Sequence, residues 1–307
     1  MTKTFKILTI LGSPHDRKSN TRALVEDFVE DVTQAGLPLE HRVISLGRMN
    51  VLPCKGCWNC TRNKPCPLSR KDDLEEIKAA MLDCDMLVMA CPVYTNQVTA
   101  QMKALFDRLF TWCHIFPLLG KYSLSACTTG NDGQKEVGSF LEKMLATYGT
   151  YSFGTIDSVF GFTPGFFPGR DRARAKNKKL AERVAKTILA GKKPRVNAMQ
   201  RAMFKVMRRK MTGIHAMNCM RYGEVEGQPK APWLRLKLMK FFIKKLNFTD
   251  KQLDKWAGFL EFELGWWRSR GWLDARSFKQ LSEKPIPAGF DARERLLAKA
   301  ELKAVAS

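Results

Sequence analysis

The chain has 307 residues, 45% of them hydrophobic, which suits one large domain or a domain with an appendage and excludes a disordered-protein composition. No apolar run approaches the ~18–20 residues that span a bilayer, and the N-terminal apolar stretch meets Gly12-Ser13-Pro14 rather than a small-residue cleavage site, so no signal peptide is read. The net charge of +22 is confined: residues 1–169 hold 18 Lys+Arg against 17 Asp+Glu, while residues 170–307 hold 34 against 13. A near-neutral domain, residues 1–191, is therefore expected to carry a strongly basic extension, residues 192–307, with the boundary at LAGKKPRVN.

Residues 5–11, FKILTIL, predict a strand that stops at Gly12. From Thr21 onward Leu24, Val25, Phe28, Val29 and Val32 recur at helical spacing, and Gly36 closes that helix. LEHRVISL alternates as a second strand does. The acid-started run DDLEEIKAAMLDC predicts a helix, since carboxylates suit a helix N-terminus. MLVMACPVY predicts a buried strand, and TAQMKALFDRLFTWC the helix after it. KYSLSACTTG and QKEVGSFLEKMLATYG add a fourth strand and helix, residues 155–162 a fifth strand, and residues 172–190 a basic helix.

Strands alternating with amphipathic helices specify a doubly wound α/β fold, here a five-stranded parallel sheet. Ligands of such folds bind beyond the carboxyl ends of the strands. Three polar or glycine-rich segments fall there: 12–21, 92–97 and 128–133. GSPHDRKSNT offers backbone N–H groups, the hydroxyls of Ser13, Ser19 and Thr21 and the Asn20 amide to a phosphate, or a simple helix cap. Pro92, Tyr94, Thr95 and Asn96 could flank a flat heterocycle, or form a half-buried turn. TTGNDGQ has glycines that let backbone approach a ring, or is a plain turn.

Together, GSP…SNT, then PVY with TAQMKALFDR, then TTGNDG resemble the NADPH-dependent FMN reductase family of flavodoxin-like proteins, over about residues 4–165. The resemblance implies FMN, with Ser13, Ser19, Asn20 and Thr21 at its phosphate. It places Pro92, Tyr94, Thr95, Asn96, Gly130, Asn131 and Gly133 along the isoalloxazine ring. The stretch from Pro14 to Ser19 is one residue longer than the family's commonest form, so no role is carried over to His15 or Arg17.

Four cysteines lie within thirteen positions as Cys54-x2-Cys57-x2-Cys60-x5-Cys66-Pro67. In a cytoplasmic protein, the expected case here, such clustering points to metal or redox chemistry sooner than to disulfides. Zinc usually takes two separated pairs. Three cysteines at successive x2 spacing let one loop wrap three corners of a cubane, with a fourth ligand shortly after, while reduced thiols remain an alternative. Lys55, Arg62 and Lys64 would offset thiolate charge. The arrangement resembles the iron–sulfur flavoproteins, a branch of the same group, which implies a [4Fe–4S] cluster on Cys54, Cys57, Cys60 and Cys66. Cys84, Cys91, Cys113, Cys127 and Cys219 read as ordinary buried residues, and His15, His41, His114 and His215 receive no catalytic role.

In the extension, MQRAMFKVMRRKM repeats apolar residues at 199, 203, 207 and 211. Residues 232–248 pair Lys237, Lys240, Lys244 and Lys245 with apolar residues, as a helix docking on an acidic partner or an anionic membrane surface would. Thr249 to Gln252 is a capping signal ahead of Leu253, Trp256, Leu260 and Leu264. The expected activity is electron transfer from NAD(P)H or another donor through FMN and the cluster to a small-molecule or protein acceptor. The alternatives are an FMN or quinone reductase without a cluster, and a redox-sensing nucleic-acid binder. Nucleic acid is the less favoured partner, because the extension contains no recognisable helix-turn-helix or zinc module. A homo-oligomer is expected, since family members often dimerise.

Overall fold

FKILTIL is apolar on both faces because the strand it forms, β1 (Phe5–Leu11), is central in a parallel sheet. The computed structural model describes residues 4–62, 64–160, 163–194, 196–222, 237, 261–270, 272–276 and 280. The chain divides into two compact units. One comprises Met1–Lys55, Leu68–Asn197 and Ala304–Ser307, and the other Gly56–Pro67 and Ala198–Lys303.

The first unit is the five-stranded sheet, in the order β2 (Leu39–Ser45), β1, β3 (Met86–Pro92), β4 (Tyr122–Thr129), β5 (Tyr151–Val159). All four pairings are parallel, with Leu11 beside Ser45 and Ala90 at the carboxyl edge. This is the flavodoxin-like order, whose switch point lies between β1 and β3. Between the strands run α1 (Asn20–Gln34), α2 (Leu74–Asp83), α3 (Ala100–Arg108), a short α4 (Trp112–Ile115) and α5 (Gln134–Thr147), and α6 (Arg170–Leu189) follows β5.

Period-two alternation sorts the sheet's side chains. Ile7, Leu11, Met86, Val88, Leu124 and Ile156 pack with Leu24, Phe28 and Val32 of α1 and Ala181 and Val184 of α6. The alternate residues Leu8, Ile10, Leu87 and Met89 are also buried, facing the other way. There α5 packs on β3, β4 and β5, and α2 on β1. Arg170 and Arg174 of the basic helix pair with Asp27 and Asp31 of α1, so part of the basic charge is internal to the fold.

Two expected elements are displaced. The fifth strand starts at Tyr151 rather than residue 155, because Gly154 (φ 107°), which reads as a breaker, sits at a bulge between β4 and β5. The helix expected over TAQMKALFDRLFTWC breaks after Arg108 and resumes as α4, which ends at Phe116 in the left-handed region. Among the described residues, no helix is long and apolar enough to cross a membrane.

In the second unit, α7 (Ala198–Tyr222) packs against α8 (Glu261–Ser269) and a 3-10 turn, Trp272–Asp274. Met211 is buried as the apolar repeat expects, but Met199, Met203 and Met207 are half-buried. The buried face runs instead through Phe204, Met211, His215 and Ala216. Leu264 is buried in α8. The expected amphipathic segment 232–248, apart from Lys237, and the capping signal with Leu253, Trp256 and Leu260 lie outside the described residues.

Candidate functional site

Where β1 ends, Gly12 N donates to Ala90 O at 2.7 Å and the Thr99 hydroxyl donates to Gly12 O at 2.7 Å. A side chain on Gly12 would sit 3.0 Å from Cys91 Sγ and 3.1 Å from Thr99 Oγ1, so the floor beneath the first loop is tightly packed. The loop itself turns through a 3-10 turn, Asp16–Lys18, before Ser19 caps α1 by accepting from Arg22 N at 3.3 Å. Asp16 (φ 46°) is buried at the turn and paired with Arg22 at 3.0 Å and with Arg48. Burial alone would push its carboxyl up, but the Arg48 and Arg22 guanidinium groups outweigh that and hold it below the usual carboxylate range. This pinned loop presents Ser13 and Ser19, and the first N–H groups of α1 point past the helix start, where geometry leaves them without helical partners.

Around this helix start lies a shallow cleft, open to solvent. Ser13, Ser19, Asn20, Thr21, Pro92, Tyr94 and Gly130 line it, as the sequence expects. Thr21 and Thr128 share a hydroxyl–hydroxyl bond of 2.5 Å across its floor. Asn20 does something the motif did not announce. Its amide donates to Thr163 O at 3.2 Å and Phe166 O at 3.1 Å, and accepts from Gly165 N at 3.2 Å. It therefore ties the segment after β5 to the head of α1, and Pro164 of that segment lines the cleft.

Thr95, Asn96, Asn131 and Gly133 do not line the cleft. Thr95 (φ 49°) and Asn96 (φ 57°) are the two central residues of a tight turn closed by reciprocal Tyr94–Gln97 backbone bonds of 2.9 and 3.0 Å. Positive φ at both positions gives the I′ geometry, and it lifts Tyr94 to the mouth of the cleft. Gly133 (φ 81°) accommodates that turn: a Cβ there would lie 2.9 Å from Val93 Cγ1 and 3.0 Å from Asn96 Oδ1. Asn131 belongs to a turn held by Thr129, whose hydroxyl donates to Asp132 O at 2.5 Å and accepts from Asn131 N at 3.2 Å. These four residues shape the rim.

His15, Val93, Thr128, Thr129, Phe160 and Pro164 complete the lining without having been singled out. His15, Val93, Thr128 and Thr129 lie within the three strand-end segments, whereas Phe160 and Pro164, just beyond β5, lie outside them. His15 Nε2 is 3.3 Å from the Tyr94 hydroxyl across the mouth. Burial and nearby Cys91 push the Tyr94 phenol up, so it is neutral at ordinary pH. The other histidines are structural: His41 bonds Thr9 Oγ1 at 2.9 Å, His114 meets Phe110 edge-on, and His215 faces the Arg268 guanidinium at 3.0 Å.

The cysteine segment leaves the same edge of the sheet, between β2 and α2. Its base is anchored by a buried ion pair of Arg108 and Asp72, with side chains 1% and 0% exposed. Arg108 also donates to Leu52 O at 2.9 Å, and Asp72 accepts from Leu52 N at 3.0 Å. Asp73 accepts from Asn50 N at 2.7 Å and donates its own N–H to Asn50 O at 2.9 Å. Residues 50–52 and 72–73, which bracket the cysteine segment in the chain, are thus stapled together. Cys54 and Cys57 are exposed, Cys60 and Cys66 half-buried.

Among the described residues, no three His, Cys, Asp or Glu side chains are gathered into a metal site. The donor set itself fits an iron–sulfur cluster, being four accessible thiols on one segment. The remaining cysteines differ in kind. Burial pushes the thiols of Cys84 and Cys91 up to about 12 and about 11, and that of Cys127 further, which leaves them inert. Cys219 is buried too, but Cys113 is half-buried, its thiol donating to Phe110 O at 2.7 Å.

A flavodoxin-like sheet with a hydroxyl-rich cleft at its switch point defines an open α/β domain with its candidate ligand site beyond the strand ends. The family model for NADPH-dependent FMN reductase matches residues 5–163, and the chain belongs to that family. An iron-sulfur flavoprotein of Archaeoglobus fulgidus is 31% identical over 180 residues, 58% of this chain and 79% of that protein. Another of that name, from Methanosarcina thermophila, is 29% identical over 161 residues, 52% of this chain and 82% of its own length. The solved apo form of an NADH:FMN oxidoreductase aligns with 22% identity and a TM-score of 0.44, over 60% of this chain and 90% of that one.

Proposed function

We propose that this chain is a flavin oxidoreductase that carries electrons from NAD(P)H through FMN and a [4Fe–4S] cluster on Cys54, Cys57, Cys60 and Cys66 to an acceptor. When bound, FMN supplies two-electron acceptance with one-electron release, and the cluster supplies one-electron transfer. Ser13, Ser19 and the N–H groups at the start of α1 hold the FMN phosphate, where the helix dipole favours an anion. Pro92 and Tyr94 would line the ring's part of the cleft, and Gly130 would let backbone approach it. Asn20 keeps the Thr163–Phe166 wall in place. The observation that carries this reading is the stapled base of the cysteine segment at the sheet edge that also holds the cleft.

Protein purified without oxygen tests it through FMN, iron and acid-labile sulfide content. About one FMN with about four iron and four sulfide per chain is expected; about one zinc without sulfide would count against the cluster. A second reading, a flavin or quinone reductase with plain thiols, is favoured by the ungathered cysteines among the described residues. It predicts the same FMN content with no iron.

A further inference from the structure

The family match stops at residue 163, so the basic extension is outside it and has no role assigned by it. One structural fact connects the extension to the chemistry. Residues 56–67, which include Cys57, Cys60 and Cys66, form a unit with residues 198–303 and not with the sheet. Within that unit, the 3-10 turn Asn59–Arg62 packs against α8.

Burial along the turn has the corresponding pattern. Cys57 and Trp58 are exposed, yet Thr61, three residues on, has no exposure at all. Its hydroxyl donates to Trp58 O at 2.9 Å, so the burial strands no polar group. The turn is also closed on itself, with Lys64 N donating to Asn59 O at 3.0 Å and Asn59 Nδ2 to Pro65 O at 3.3 Å. A dozen residues cannot build a core alone. The core is supplied by α8 and the 3-10 turn after it. Leu264, Trp266 and Trp267 are buried, Trp267 meets Trp272 edge-on at 5.6 Å, and the Arg270 guanidinium lies 4.6 Å from the Trp266 ring centre.

We infer that α8 is a cover for the cysteine segment, docked on the Asn59–Arg62 turn to fix that turn and screen Cys60 and Cys66 from solvent. Its purpose rests on the cluster reading above: solvent exposure of the ligands is one of the levers that set a cluster's potential and its lifetime in air.

The test is made first on metal-free, full-length protein. Thr61→Glu places a charge in the buried contact, and Leu264→Ala weakens α8 without touching the segment. Both variants should raise alkylation rates at Cys60 and Cys66 by about tenfold, through more frequent local opening. Hydrogen exchange should rise jointly in residues 57–66 and 261–269, with FMN binding unchanged. Unchanged alkylation in both variants, or an exchange increase confined to 57–66 in Thr61→Glu, would overturn the inference. In iron-loaded protein both variants should lose iron faster in air. A chain without iron or sulfide would remove only the cluster reading, because the metal-free measurements decide the cover by themselves.

Discussion

Asn20 separates two ways in which a residue serves a ligand. The motif assigns its amide to the phosphate, but three hydrogen bonds commit that amide to the segment Thr163–Phe166. Asn20→Ala should therefore loosen a wall of the cleft and weaken FMN and riboflavin alike. Losing buried partners costs about 1–3 kcal/mol, on the order of tenfold or more in affinity. Flavin fluorescence titrations check this, and a loss confined to FMN would return Asn20 to the phosphate. Asp16 carries a second prediction. Its carboxyl is held low in the folded chain, so it adds stability above its unfolded value of about 3.9 and loses it as pH falls through the folded value. Asp16→Asn keeps a residue type that tolerates positive φ. Its urea midpoint should trail the parent's near neutral pH, and the gap should close below about pH 4. A gap that persists in acid would mean the ion pairs with Arg22 and Arg48 do not matter.

At the scale of elements, the ion pair of Arg108 and Asp72 joins the end of α3 to the entrance of α2 and to residues 50–52. Removing one partner of a buried pair costs about 3–5 kcal/mol, because the other charge is left without compensation. Asp72→Asn and Arg108→Met should each lower the thermal midpoint and speed amide exchange at residues 50–52. The double variant should lose less than the two singles combined; strict additivity would show that the pair does not act as one. The sequence announced this region only as a helix start, since Asp72 and Asp73 are ordinary first-turn acids. Arg108 lies far away in the chain, and no local pattern joins it to Asp72. Strands β1, β3 and β4 were legible because strands buried on both faces read as apolar runs. The start of β5 was not, since a bulge glycine and a turn glycine look alike in sequence. Gly133 was legible as a constrained position, but its reason is the Tyr94–Gln97 turn against it.

At the scale of the molecule, composition separated a neutral part from a basic one, while the division of the cysteine segment from the sheet depends on packing that no spacing encodes. That division makes a prediction with two built-in reporters. Of the tryptophans among the described residues, Trp112 belongs to the first unit, and Trp58, Trp266, Trp267 and Trp272 to the second. Tryptophan emission on heating therefore reports mainly the second unit, and flavin release reports the cleft of the first. A ligand stabilises only what it binds, by about 2.7 kcal/mol at a hundredfold excess over its Kd. Added FMN should raise the flavin-release midpoint by several degrees, as domains of this size shift by about 2–4 °C per kcal/mol. The tryptophan midpoint should stay where it was. If excess FMN moves both signals together, the two units unfold as one cooperative body and the prediction fails.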